Sequence, residues 1–109
     1  MSLEIRWTEP AWLSLAEVLD YTQLMFGERQ AKKMRKQVMD GVRRIARSPQ
    51  MSAVEPYSKK VGVEMRGYLV IPRIKIIYSV EGEAVNIEYI KNTFMSERTM
   101  LTRMGYFFD

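Results

Sequence analysis

Arg66, Arg73 and Lys75 lie close together in one stretch rich in Val, Ile and Tyr. Guanidinium and ammonium groups so placed can clamp a phosphate through charge-assisted hydrogen bonds and stabilise negative charge that develops on it. Strand alternation would put Arg73 and Lys75 on one side of a single strand. The same side chains could equally solubilise a sheet face or pair with Glu64 and Glu88 across strands, and residue types alone do not separate the two readings. Tyr106, in the C-terminal segment, adds a hydroxyl, with Phe107 and Phe108 beside it as packing partners. Tyr68, Tyr78 and Tyr89 sit on apolar strand patterns, where a tyrosine ordinarily packs its ring and leaves its hydroxyl at an edge.

A second basic cluster is Arg29, Lys32, Lys33, Arg35, Lys36, Arg43, Arg44 and Arg47, set against only Glu28 and Asp40. It reads either as a surface for nucleic acid, a ribosome or an acidic protein, or as a solvated helix face. Arg43 and Arg44, with Arg73, Lys91 and Arg98, form the candidate target-binding set. The whole chain carries a net charge of +4, which favours an anionic or acidic partner.

What is missing narrows the chemistry. The chain has no cysteine and no histidine, so disulfides, thiolate zinc sites, cysteine nucleophiles and the usual neutral-pH general base are excluded. Any catalysis falls to Arg, Lys, Tyr, Ser, Thr or carboxylates. Neither cofactor nor metal is expected. No apolar run approaches the ~20 residues of a membrane span and no leader pattern is evident, so a cytoplasmic location is the expectation.

The elements that must position these groups follow from periodicity. Ile5 to Trp7 alternate as a short strand, and Thr8 before Pro10 places a capping hydroxyl ahead of a first helical turn. Apolar residues then recur at helical spacing over about Pro10 to Phe26, stopping at Gly27. Glu28 to Arg47 repeats the period with Ala31, Met34, Val38, Val42 and Ile45, and Ser48-Pro49 ends it. So short a join predicts an antiparallel helical hairpin. Pro49 to Lys60 reads as a loop. Val61 to Val70, Arg73 to Val80 and Ala84 to Lys91 read as three strands of an antiparallel meander, with Val85, Ile87 and Tyr89 on one face and Asn86, Glu88 and Ile90 on the other. Ser96 would cap a short last helix carrying Met100, Leu101 and Met104. The fold class is therefore α+β, ordered β-α-α-β-β-β, with a helical hairpin packed on a small, mainly antiparallel sheet and a short C-terminal helix. At 109 residues one domain is expected, over residues 4–104, followed by a tail at 105–109. The Met- and aromatic-rich tail either packs back on the domain or docks on a partner, a second copy of the chain included.

That order, together with Trp7-Thr8-Glu9-Pro10-Ala11, the run from Met65 to Val80 and the run from Val85 to Thr93, resembles the RelE/ParE family of type II toxins, also called plasmid-stabilisation proteins. The resemblance covers roughly Glu4 to Arg98. It implies a growth-inhibiting bacterial protein silenced by a cognate antitoxin and, when free, either cutting messenger RNA on the ribosome or blocking DNA gyrase. In the nuclease branch, chemistry without a metal would fall to Arg66, Lys75 and Tyr106, with Arg98 as a further candidate. Gly62 and Glu64 stand where that branch has lysines, Thr93-Phe94-Met95 where its members often carry arginine, and a C-terminal histidine is absent. These departures favour gyrase or another noncatalytic target; the endonuclease, and an inactive RNA- or protein-binding domain of the same fold, are the alternatives.

Overall fold

The structure, a computed structural model, describes residues 2–107. Its elements are β1 (Glu4–Trp7), α1 (Glu9–Phe26), α2 (Glu28–Arg47), α3 (Ser58–Val61), β2 (Arg66–Ile71), β3 (Ile74–Glu81), β4 (Ala84–Asn92) and α4 (Glu97–Arg103). The expected order is therefore observed, with one added turn of helix, α3, which takes in Val61, so that the strand expected over Val61 to Val70 begins only at Arg66. The strands form one sheet in the order β1-β4-β3-β2, in which β1 runs parallel to β4 and the other pairs are antiparallel.

Thr8 caps α1 by accepting a hydrogen bond from the Ala11 amide at 3.2 Å, as the Thr-x-Pro pattern predicts. Gly27 alone links α1 to α2. The two helices lie on one face of the sheet, where Leu15, Val38, Val42 and Ile45 meet Ile74, Ile76 and Tyr78 of β3 and Val85, Ile87 and Ile90 of β4. Helix α2 reaches the sheet closely at Gly41. A Cβ there would stand 3.1 Å from both the Ile76 Cδ1 and Val70 Cγ2 atoms, so the missing side chain sets the helix-to-sheet distance.

The alternation expected for the last strand is broken. Ile77 pairs with Tyr89 but Tyr78 pairs with Ile87, which leaves Glu88 as the extra residue of a β-bulge. Val85 and Ile87 share the hairpin face. Beyond the bulge the faces exchange, so that Ile90 joins the hairpin core while Tyr89 turns to the other side. The bulge is held from below: the Thr8 amide donates to the Ile87 carbonyl, and the Thr8 hydroxyl reaches the Ile87 and Glu88 carbonyls at 3.1 and 3.2 Å.

The second face of the sheet carries a smaller core. Tyr57 and Met65 pack with Ile77, Tyr89 and, from α4, Met100 and Leu101. The C-terminal helix thus covers the side of the sheet away from the hairpin, with Met95, Met104 and Tyr106 at its margin. Phe107 is exposed; Phe108 and Asp109 lie outside the described residues.

Candidate functional site

The second face gathers most of the polar side chains that stand out in this fold. In the register, Lys75 of β3 is directly opposite Lys91 of β4. Like charges in that relation repel, and each needs an anion. Lys75 has one: its ammonium donates to Glu55 Oε1 at 2.9 Å, and both side chains are largely buried. Gly67, the neighbour of β2 on this face, makes room for the pair, because a Cβ there would stand 2.7 Å from the Lys75 Cδ atom and collide with the Glu55 carboxylate. Any side chain at residue 67 would displace that ion pair.

Lys91 is only 8% exposed, yet among the described residues its ammonium has no hydrogen bond or ion pair. Burial, and then the nearby Lys75 charge, pull its pKa below the ordinary lysine value, while Glu97 and Glu55 act in the other direction. Tyr57 stands in the same surroundings. Its ring is buried in the second core and its hydroxyl is the one fully buried side-chain polar atom without a partner among the described residues. Burial pushes that phenol well above the ordinary tyrosine range, and the charges of Glu55 and Glu97 push it further the same way.

Towards the other end of the face, the Ser79 hydroxyl donates to Glu88 Oε2 at 2.6 Å, using the carboxylate that the bulge turns outward. Tyr106 lies near this end; its phenol is raised by burial and by the Glu88 charge. Arg103 bridges α4 to α1 by donating to Glu17 Oε2 at 2.8 Å and, more weakly, to the Tyr89 hydroxyl at 3.4 Å.

The structure does not gather the three expected catalytic residues at one point. Arg66 is paired with Tyr78, on the hairpin side of the sheet, whereas Lys75 and Tyr106 belong to the opposite face. The Arg66 guanidinium donates to the Ser52 carbonyl at 2.5 Å and to Glu64 at 3.4 Å, tying the α2–β2 connection to the sheet edge. Arg73 is not in a strand. It sits in the turn before β3, exposed, with its guanidinium over the Phe94 ring at 5.9 Å, so it does not share a strand face with Lys75. Arg98 is exposed on α4. On α2, Arg43 pairs with Asp40, whose pKa is lowered chiefly by hydrogen bonds from Lys36 and Arg43, and Arg44 donates to the Tyr68 hydroxyl at 3.0 Å. Residue reading missed Glu55 and Tyr57, which lie in an aperiodic segment far along the chain from their partners. The signal that could have found them is Gly67, a small residue inside an otherwise bulky strand.

A family model for the ParE toxin of the type II toxin-antitoxin system parDE matches residues 5–92. The chain belongs to the ParE toxin family. As a ParE-family chain it is the toxin component of a type II toxin-antitoxin pair. Among solved structures it is similar to a chain described as a chromosomal ParDE toxin-antitoxin system from P. aeruginosa, with 20% sequence identity, a TM-score of 0.69, and 84% of this chain and 96% of that chain covered. At that identity the likeness speaks to the fold. No curated protein matches the chain. The matched stretch spans the hairpin and the sheet and stops at the end of β4, so α4 and its share of the second core lie beyond it. No helix among the described residues is long and apolar enough to cross a membrane.

Proposed function

We propose that this ParE-family chain, when free of its cognate antitoxin, arrests growth by binding a protein target, DNA gyrase, rather than by cutting RNA. One observation carries the reading: the cations a metal-independent nuclease would aim at a phosphate are already committed. Arg66 holds a backbone carbonyl on the hairpin side, and Lys75 is neutralised by a largely buried Glu55. A phosphate would have to displace that carboxylate first.

Induced expression with and without the neighbouring reading frame tests the toxin role. Arrest relieved by the neighbour is the expected result, and the purified chain should inhibit supercoiling by gyrase while cellular messages stay intact in primer extension. Normal growth on induction would sink the toxin reading and leave an inactive binding domain of the same fold. A second reading, ribosome-dependent cleavage, rests on Lys91, a buried lysine directly opposite Lys75 whose ammonium has no hydrogen bond or ion pair among the described residues and is placed to meet a phosphate. Messages cut only in the presence of ribosomes, with cuts lost in Lys75→Ala and Lys91→Met, would establish it in place of the first.

A further inference from the structure

Helix α2 carries a one-sided row of charge that the fold itself does not use. Arg29, Lys32, Lys33, Lys36, Arg43 and Arg47 recur at the three- and four-residue spacing that sets side chains on one helix face, and all six are exposed. The opposite face, with Ala31, Val38, Val42 and Ile45, is buried. From Arg29 to Arg47 the helix rises about 27 Å, so the cations form a straight row rather than a point cluster. Only Glu28 and Asp40 offset them on this face. The excess of four equals the net +4 of the whole chain, so the remaining basic and acidic residues balance. Glu28 pairs with Lys32, and Asp40 holds both Lys36 and Arg43. These pairs are exposed and therefore weak, and a stronger anion can replace them. Arg29, Lys33 and Arg47 have no ion pair among the described residues.

What the row lacks names its ligand. None of the large apolar residues exposed among those described lies on α2. A protein partner takes its affinity from buried aromatic and apolar anchors, and a membrane surface from apolar side chains inserted into it; this face offers neither. Regularly spaced Arg and Lys without such anchors suit a polyanion whose charges repeat along a line, as phosphates do at one per about 1.7 Å of duplex axis. The straight, convex face of a helix fits the wide major groove of B-form DNA and not the deep, narrow one of A-form RNA. We propose that α2 is a sequence-independent binding surface for duplex DNA, with Arg29, Lys33 and Arg47 meeting phosphates directly and Lys32, Lys36 and Arg43 exchanging their carboxylates for phosphates. Contacts of this kind fix position without reading bases. The surface goes beyond the target-blocking reading and does not depend on it, since the free chain binds DNA by this row whether or not it arrests growth.

The test is fluorescence anisotropy of a labelled DNA duplex of arbitrary sequence, about two helical turns long, titrated with the purified chain. Affinity should fall about 150-fold between 50 and 200 mM salt, as expected when about four phosphates are neutralised. Arg29→Gln, Lys33→Gln and Arg47→Gln, at exposed positions that leave the core alone, should each cost about tenfold at 50 mM salt and flatten the salt slope by about one. Lys59→Gln on α3, the same charge change elsewhere, should stay within about threefold of the parent. Asp40→Asn removes the acid from the middle of the row and should tighten binding about fivefold, a gain that a folding defect cannot mimic. Absence of binding at 50 mM salt would overturn the proposal, as would Gln variants that melt like the parent and bind with unchanged affinity. So would an equal loss in Lys59→Gln and Arg47→Gln, because net charge alone would then account for binding. A parent that holds duplex RNA of the same sequence, or vesicles of phosphatidylserine, more tightly than the DNA would assign the row to that ligand instead.

Discussion

The two faces of the sheet are built on different terms. The hairpin face is covered by two long helices and carries a continuous aliphatic core, Val38, Val42 and Ile45 against Ile76, Val85 and Ile87. The other face is covered by the short α4 and the segment around Tyr57, and mixes Met65, Ile77, Met100 and Leu101 with two opposed lysines, a largely buried carboxylate and an orphaned phenol. The first face holds the fold and falls within the stretch the family model matches; the cover of the second, α4, falls outside it. Stability is thus concentrated on one side of a single sheet, and unusual electrostatics on the other.

Adjacent residues of β3 measure the contrast directly. Ile76 and Ile77 are both fully buried and point to opposite faces. Truncation leaves a cavity whose cost depends on how far its surroundings relax, so Ile76→Ala beneath the paired helices should cost about 4 kcal/mol and Ile77→Ala beneath α4 about 2 kcal/mol in urea denaturation. Equal losses would erase the distinction between the faces. Glu55→Gln should cost about 1–2 kcal/mol, because it keeps the shape but removes the carboxylate bonded to Lys75 and leaves Lys75 and Lys91 opposed. The loss should shrink as salt rises, and a variant as stable as the parent would show that the ion pair contributes nothing.

How much of this was legible in the sequence divides along the same line. Helical spacing from Trp12 to Phe26 and from Ala31 to Ile45, the Thr8 and Ser96 caps and the last two strand runs place the hairpin, the end of the meander and α4, since each is a local pattern with a local cause, whereas the run from Val61 becomes strand only at Arg66. The second face rests on pairings that no window of sequence contains. Glu55 meets Lys75 across the sheet edge, and the Glu88 bulge, which decides where Tyr89 and Lys91 point, depends on the carbonyls that Thr8 holds from another element. Strict alternation put Tyr89 with Val85 and Ile87, and it failed at Glu88, where the β3–β4 ladder carries an extra residue. Arg66 and Arg73 show the same limit: their types suggested a shared anion, while tertiary contacts send one to a carbonyl and the other over an aromatic ring.

The orphaned phenol offers a change in the opposite direction. Tyr57→Phe removes a buried hydroxyl with no partner among the described residues, so the variant should be more stable than the parent by about 1 kcal/mol. A loss of stability instead would mean that the hydroxyl is satisfied in solution.

The smallest effect, under about 1 kcal/mol, is the pH dependence that Lys91 imposes, and its sign is fixed by the direction of its shift. Its folded-state pKa lies below the ordinary value of 10.5. At neutral pH both states hold the proton and the folded state bears the full cost of a buried charge facing Lys75. As pH rises through the folded pKa, the folded chain releases that proton before the unfolded chain does, so stability increases until the unfolded lysine also titrates. Tyr57 and Tyr106 act oppositely, because their raised pKa values make the unfolded chain ionise first above the ordinary tyrosine value of 10.0. The parent should therefore gain stability on approaching pH 10 and lose it beyond, whereas Lys91→Met should start higher at neutral pH, show no alkaline gain, and keep the same later fall. Denaturation curves collected from pH 7 to 11 at constant ionic strength read this out. A rise that survives in Lys91→Met would have to come from another lysine, and the buried charge opposite Lys75 would no longer be what sets the second face apart.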